Sequence, residues 1–150
     1  MMLQIGATEI IVQWQDQTSS QVMQARLPFG HANLFGTDLR TPSAFEMESA
    51  IEIVEEHVMP LARKIEAVTS REILVKDFPT PARFSSEPDS TFNLDAVERE
   101  FSHIAAVTQG RSYSDIEPVE MRSFSASVLI LREFMHHLGI ENGTVNCLVT

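Results

Sequence analysis

Cysteine is nearly missing from this sequence: its 150 residues contain one, Cys147. A single thiol cannot form an intrachain disulfide, so the fold has to rest on its core, and the pattern fits a reducing compartment. Aromatic residues are sparse at 7%, with one Trp and one Tyr. No apolar run approaches the ~20 residues that span a bilayer. The N-terminus lacks the basic region and unbroken apolar stretch of a secretory signal. Together these absences predict a cytoplasmic protein, bacterial in style, with no membrane partner. Positive charge is also scarce, with 11 Lys and Arg against 21 Asp and Glu and a formal net charge of −10. Such a surface repels a phosphate backbone. The densest basic group, Arg63-Lys64 with Arg71, makes no patch, so nucleic acid is not expected as a partner. There is no Walker loop, Cys-x-x-Cys pair, Gly-x-Ser-x-Gly elbow, internal repeat or low-complexity tract.

What is present is enough apolar sequence, 43%, to build one core over residues 1–150 without a linker. Leu3-Gln4-Ile5 predicts a short strand broken at Gly6, and Glu9 to Trp14 restarts it. A polar turn at 15–20 leads to a third extended run ending at Leu27-Pro28-Phe29-Gly30. Between Ser43 and Val68, apolar residues Met47, Ala50, Ile51, Val54, Val58, Leu61, Ala62 and Ile65 recur at three- and four-residue steps, which predicts an amphipathic helix. Ser43 with Glu46 forms a capping-box signature, and Pro60 predicts a kink. Residues 71–76 predict a buried strand, and 78–90, rich in Pro and Ser, an irregular loop. Leu94–Val107 and Val119–Leu138 predict two more helices, the first capped near Asn93 and the second ended by Gly139, and Thr144–Val149 a last strand. The order β-β-β-α-β-α-α-β implies an α/β sheet with helices packed on it. A strand, a Gly turn, two strands and a helix is also how a ribonuclease-H-like, or actin-like ATPase, half-domain begins. That predicts a three-stranded antiparallel meander extended by parallel strands.

Four segments resemble, in order, the second actin-like domain of the exopolyphosphatase / guanosine pentaphosphate phosphohydrolase family (Ppx/GppA phosphatases). Gln4-Ile5-Gly6-Ala7-Thr8-Glu9-Ile10 is similar to the family's Asp-Ile-Gly-Gly-Gly-Ser-Thr-Glu-Leu. Arg26-Leu27-Pro28-Phe29-Gly30-His31-Ala32-Asn33-Leu34 matches its Ser-Leu-Pro-Leu-Gly-Ala-x-x-Leu segment, and a long helix follows in both. Ser125 to Gly139, containing Leu129-Ile130-Leu131-Arg132-Glu133-Phe134-Met135, resembles its late Ala-Gly-Ala-Leu-Ile-Leu-x-Glu-x-Met-x-x-Leu-Gly helix. The resemblance implies a phosphate-binding turn at Gly6, Ala7 and Thr8, with Glu9 as a candidate catalytic or Mg²⁺-binding carboxylate.

The departures argue against activity. Gln4 stands where the family has Asp, and a neutral amide is a poor Mg²⁺ ligand beside a carboxylate. The turn is two residues shorter, with fewer glycine amides to converge on an anion. Where a Gly-Gly-Thr loop is expected after the fourth strand, Lys76-Asp77-Phe78-Pro79-Thr80-Pro81 brings prolines that lack the amide donor. The family's first actin-like domain, with its catalytic carboxylate, has no counterpart in these residues. The expectation is a catalytically degenerate domain that binds or regulates, without a confident cofactor. The alternative is a Mg²⁺-dependent phosphohydrolase on polyphosphate or guanosine pentaphosphate, completed by dimerisation or a partner domain. Glu9 reads more readily as a solvent-facing strand residue than as a metal ligand. His31 reads as an exposed loop residue, His57 and His103 as surface or boundary positions, and adjacent His136-His137 as solvated residues suited to a helix C-terminus. Cys147 reads as a small buried residue, while Ser43 and Ser125 lie outside any nucleophile elbow. A lone half-domain exposes apolar surface, so a homodimer is expected, with Trp14, Phe29, Phe35 and Phe84 as candidate exposed residues.

Overall fold

In the computed structural model, which describes residues 1–36, 41–65, 72–78, 90–111 and 118–146, six strands form a single mixed sheet. The strands are β1 (Met2–Ile5), β2 (Ile10–Gln15), β3 (Val22–Leu27), β4 (Glu72–Lys76), β5 (Ser90–Asn93) and β6 (Asn142–Asn146), and the helices are α1 (Ala44–Lys64), α2 (Leu94–Thr108) and α3 (Pro118–Leu138). The spatial order is β3-β2-β1-β4-β6-β5. β1, β2 and β3 pair antiparallel, whereas β4 runs parallel to both β1 and β6. The expected meander extended by parallel strands is therefore present.

The register explains which face is covered. Leu3 lies beside Val12 and Val75, and Ile5 beside Ile10. All five are fully buried, so period-two alternation gives the sheet one apolar face for the helices. α3 lies centrally, with Phe124, Val128, Leu129, Ile130, Leu131, Phe134 and Met135 completely inaccessible, and it is flanked by α1 and α2. Being buried nearly all round, it accommodates Ser125, Ala126 and Ser127, whose small side chains permit close approach.

The capping box of α1 is formed, with the Ser43 hydroxyl accepting from the Glu46 amide and Glu46 accepting from the Ser43 amide. Pro60 does not end the helix. It continues to Lys64, with Leu61 and the cap residue Ile65 still anchored in the core. Two expectations need correction. Before α2 stands a strand that the sequence pattern does not predict: Ser90, read as the end of the loop, begins Ser90–Asn93, an antiparallel edge strand beside β6 that places Phe92 against Gly143. A Cβ on Gly143 would collide with the Phe92 ring, so the glycine makes room for the aromatic. Trp14, Phe29 and Phe35 are buried in the core, so none is an exposed docking residue. The exposed large apolar side chains described are Val22, Met23, Phe45, Ile53 and Met59. Phe84 and Cys147 lie outside the described residues. Among the described residues, no helix is long and apolar enough to cross a membrane.

Candidate functional site

The turn singled out by the sequence joins β1 to β2. The Gly6 amide donates to the Glu9 carbonyl at 3.0 Å, closing a hairpin whose two connecting residues are Ala7 and Thr8. The segment after β3 lies directly on it. His31 and Ala32 amides donate to the Gly6 and Ala7 carbonyls at 3.0 and 2.8 Å. Asn33 completes the clasp, its side-chain oxygen accepting from the Gly30 amide at 2.7 Å. Gly30 sits so close that a Cβ there would stand 2.7 Å from the Ala7 carbonyl carbon. The family-like Leu-Pro-Phe-Gly segment is thus the clamp on the turn, which explains why both features occur in one sequence.

Ala7, Thr8 and Glu9 are exposed. Glu9 accepts a 2.9 Å ion pair from Arg26 on β3, and both side chains are about half exposed. Its carboxylate is therefore engaged across the hairpin. The Gly6 amide, the donor that a phosphate grip would use first, is committed to its own hairpin.

β1 and β4 run parallel, so their C-terminal ends open on the same edge of the sheet. In open α/β sheets this edge is where ligands bind. Here the Gln4 amide nitrogen donates to Asp77 Oδ2 at 2.6 Å, bridging the two strand ends. Asp77 adopts φ 58°, a left-handed conformation for which glycine is the default. The chain keeps a glycine-like bend after β4 but fills it with a carboxylate that points back at Gln4. A Mg²⁺ ion prefers carboxylate and water oxygens in octahedral array. Gln4 turns its N–H₂ toward Asp77 and Glu9 is held by Arg26, so these residues do not fit that ion.

His31 differs from expectation, since it is half-buried and its Nδ1 lies 3.2 Å from Ser123 Oγ on α3. Burial lowers its pKa against the opposing pull of Asp77, which favours the neutral imidazole. His57 stacks edge-on against Phe29 at 5.2 Å and contacts the Ile53 carbonyl through Nδ1 at 2.8 Å. His103, more than half exposed, lies 3.8 Å from Glu100. In the last turn of α3 His136 is exposed, as expected, and His137 half-buried, and both meet carboxylates, Glu98 for the first and Glu55 with Glu133 for the second. Sequence reasoning missed Asp77 and Ser123. Asp77 was signalled only by its place directly after β4, and Ser123 by nothing in its local pattern. A groove of about 360 Å³, lined by Met1, Met2, Trp14, Val22 and Leu74, lies at the opposite end of the strands from the turn.

No protein-family model matches the chain, and no curated protein does. Solved structures do. A crystal structure of the Aquifex aeolicus Ppx/GppA phosphatase superposes with a TM-score of 0.72 at 14% identity, covering 98% of this chain and 52% of that one. The fold is that of half a Ppx/GppA structure. An exopolyphosphatase from Cytophaga hutchinsonii gives a TM-score of 0.70 at 9% identity, covering 97% of this chain and 52% of its own. An exopolyphosphatase-like protein gives 0.67 at 12% identity, covering 97% and 54%. This chain spans about half the length of the structures it matches. At these identities the likeness is one of fold, and on that level the resemblance read from the four sequence segments is borne out.

Proposed function

We propose that this chain is a Ppx/GppA-related domain that binds without catalysing, a binding or regulatory module on a phosphatase-like scaffold. The observation that carries the reading is the Gln4–Asp77 hydrogen bond. It joins the two strand ends between which an actin-like fold would hold phosphate and metal, and it ties up the Asp77 carboxylate with a neutral amide. The commitment of the Gly6 amide to Glu9 and of the Glu9 carboxylate to Arg26 supports the same reading. A cytoplasmic setting, a protein partner and self-association belong to the proposal. A phosphate-containing ligand remains compatible with binding at the exposed Ala7-Thr8 tip.

A second reading has one observation in its favour. Ala7, Thr8 and Glu9 are exposed, so another copy or a partner domain could reach them and complete a phosphohydrolase site. One assay separates the two. Incubation with polyphosphate or guanosine pentaphosphate and Mg²⁺ is expected to release no phosphate above an identical Glu9→Ala control. Release by the parent chain that Glu9→Ala abolishes would overturn the binding-module reading in favour of the enzyme.

A further inference from the structure

The face where α1 meets the C-terminal half of α3 carries chemistry that the hairpin site does not use. Glu133 and His137 are four residues apart on α3, which sets them one above the other on a single face. Glu55 of α1 comes in from across the helix interface. One ligand atom from each of the three lies within 4.8 Å of the other two. His137 Nε2 is 3.5 Å from Glu55 Oε1 and 3.5 Å from Glu133 Oε2.

That spacing is long for a hydrogen bond, which is best at about 2.7 to 3.2 Å. It is the spacing of two ligands on one four-coordinate ion. Metal–nitrogen and metal–oxygen bonds of about 2.0 to 2.2 Å at tetrahedral angles separate neighbouring ligand atoms by roughly 3.3 to 3.5 Å. A nitrogen with two carboxylate oxygens is a donor set for a borderline cation such as Zn²⁺, and the imidazole makes an all-oxygen Ca²⁺ or Mg²⁺ site the poorer match.

The surroundings are built in the same sense. Glu133 is 2% exposed, yet a buried carboxylate is normally kept only where it is paired or coordinates a metal. Arg132 Nη1 takes its other oxygen, Oε1, at 2.6 Å, leaving Oε2 turned toward His137. Arg132 is itself held by Glu98 at 3.1 Å and by the Phe101 ring at 4.4 Å, an outer shell that fixes the inner carboxylate. Glu98 also pairs with His136. Glu98 and Glu133 share the Arg132 guanidinium and Glu55 adds a third carboxylate beside His137, an excess of negative charge that a divalent cation matches. The Glu55 and His137 side chains are 41% and 26% exposed, so an ion can enter and water can take the fourth position.

We propose that Glu55, Glu133 and His137 bind one divalent transition-metal ion, Zn²⁺ in preference to Mg²⁺, and that the ion ties α1 to α3. The chain, stripped with a chelator and dialysed, is titrated with Zn²⁺ by calorimetry and with Co²⁺ by visible absorption. One ion per chain is expected, with the intense ligand-field band of four-coordinate Co²⁺ and a raised melting temperature. His137→Ala and Glu55→Gln are each expected to weaken Zn²⁺ binding roughly tenfold or more. His103→Ala, remote from the cluster, is expected to leave it unchanged. Glu55 is half-buried and its replacement by Gln conserves shape, so this variant keeps the fold even if that of His137 does not, as the melting curve in chelator will report. Failure of the parent chain to bind Zn²⁺ stoichiometrically, or undiminished binding by either folded variant, overturns the proposal.

Discussion

Gly30 shows how a single missing methyl group decides the geometry of this molecule. Its backbone rests on the Gly6 and Ala7 carbonyls, and the amides that follow it supply the hydrogen bonds that hold them. A side chain of any size would push the clasp off the turn. Gly30→Ala is therefore expected to destabilise the fold by about 3 kcal/mol, the upper end for overpacking a closed contact. Urea denaturation checks this, and a variant within experimental error of the parent chain would mean the clasp is loose. The glycine was visible in the sequence as part of Leu27-Pro28-Phe29-Gly30, but its contact was not. It spans two hairpin ends that are distant in sequence, and only the path of β3 brings them together. Asp77 is similar: its place after a predicted strand was legible, whereas its pairing with Gln4 across 73 residues was not.

At the scale of the element, α1 is the clearest case in which local sequence and tertiary contact act on one residue. Ser43 and Glu46 form a capping box that the sequence alone predicts. Arg122 of α3, itself buried, then donates to Glu46 Oε1 at 2.8 Å and to the Phe35 carbonyl. It ties the start of α1 to the segment that clasps the hairpin. The Ser43 backbone amide foremost, and then the Arg122 guanidinium, hold the Glu46 carboxyl below its ordinary pKa. A depressed carboxyl pKa contributes stability above the unfolded value of about 4.3, and the contribution is lost as pH falls through the lower folded value. Acidification below that window should weaken the parent chain more than Glu46→Gln. The variant should already be weaker by about 1 kcal/mol at neutral pH, modest because the carboxylate is one-third exposed. Paired urea titrations at pH 7 and about pH 3 measure the difference, and equal losses for both proteins would remove Glu46 from the account.

At the scale of the whole molecule, the question is which surface is left for a partner. The exposed face of α1 presents Phe45, Ile53 and Met59, but Glu48, Glu52 and Glu56 share its outer surface, and like charges oppose self-pairing there. The free edge of the sheet is a better candidate. β3 is terminal in the sheet, and Val22 and Met23 on it are 72% and 41% exposed. The start of this edge, Val22 to Ala25, carries no charge, and such a stretch is a template for strand pairing unless it is blocked. The proposed self-association should therefore run through β3. Sedimentation is expected to show a dimer in the parent chain and a monomer in Met23→Lys, since an edge lysine is a common natural block. A parent chain that is strictly monomeric at working concentration would sink the idea.

The sequence by itself determined the meander, the three helices and the caps of α1 and α2. These features are local: alternation, periodicity and capping depend on residues within a few positions of one another. Tertiary structure alone decided the rest. It recruited Ser90–Asn93 as a strand because Gly143 offers Phe92 a place on the sheet. It buried Trp14, Phe29 and Phe35, joined Gln4 to Asp77, and brought Glu55 to Glu133 and His137. Each of these depends on which distant surfaces the packed core leaves adjacent, and hydrophobic burial, being non-directional, leaves no mark of its partner in the local pattern.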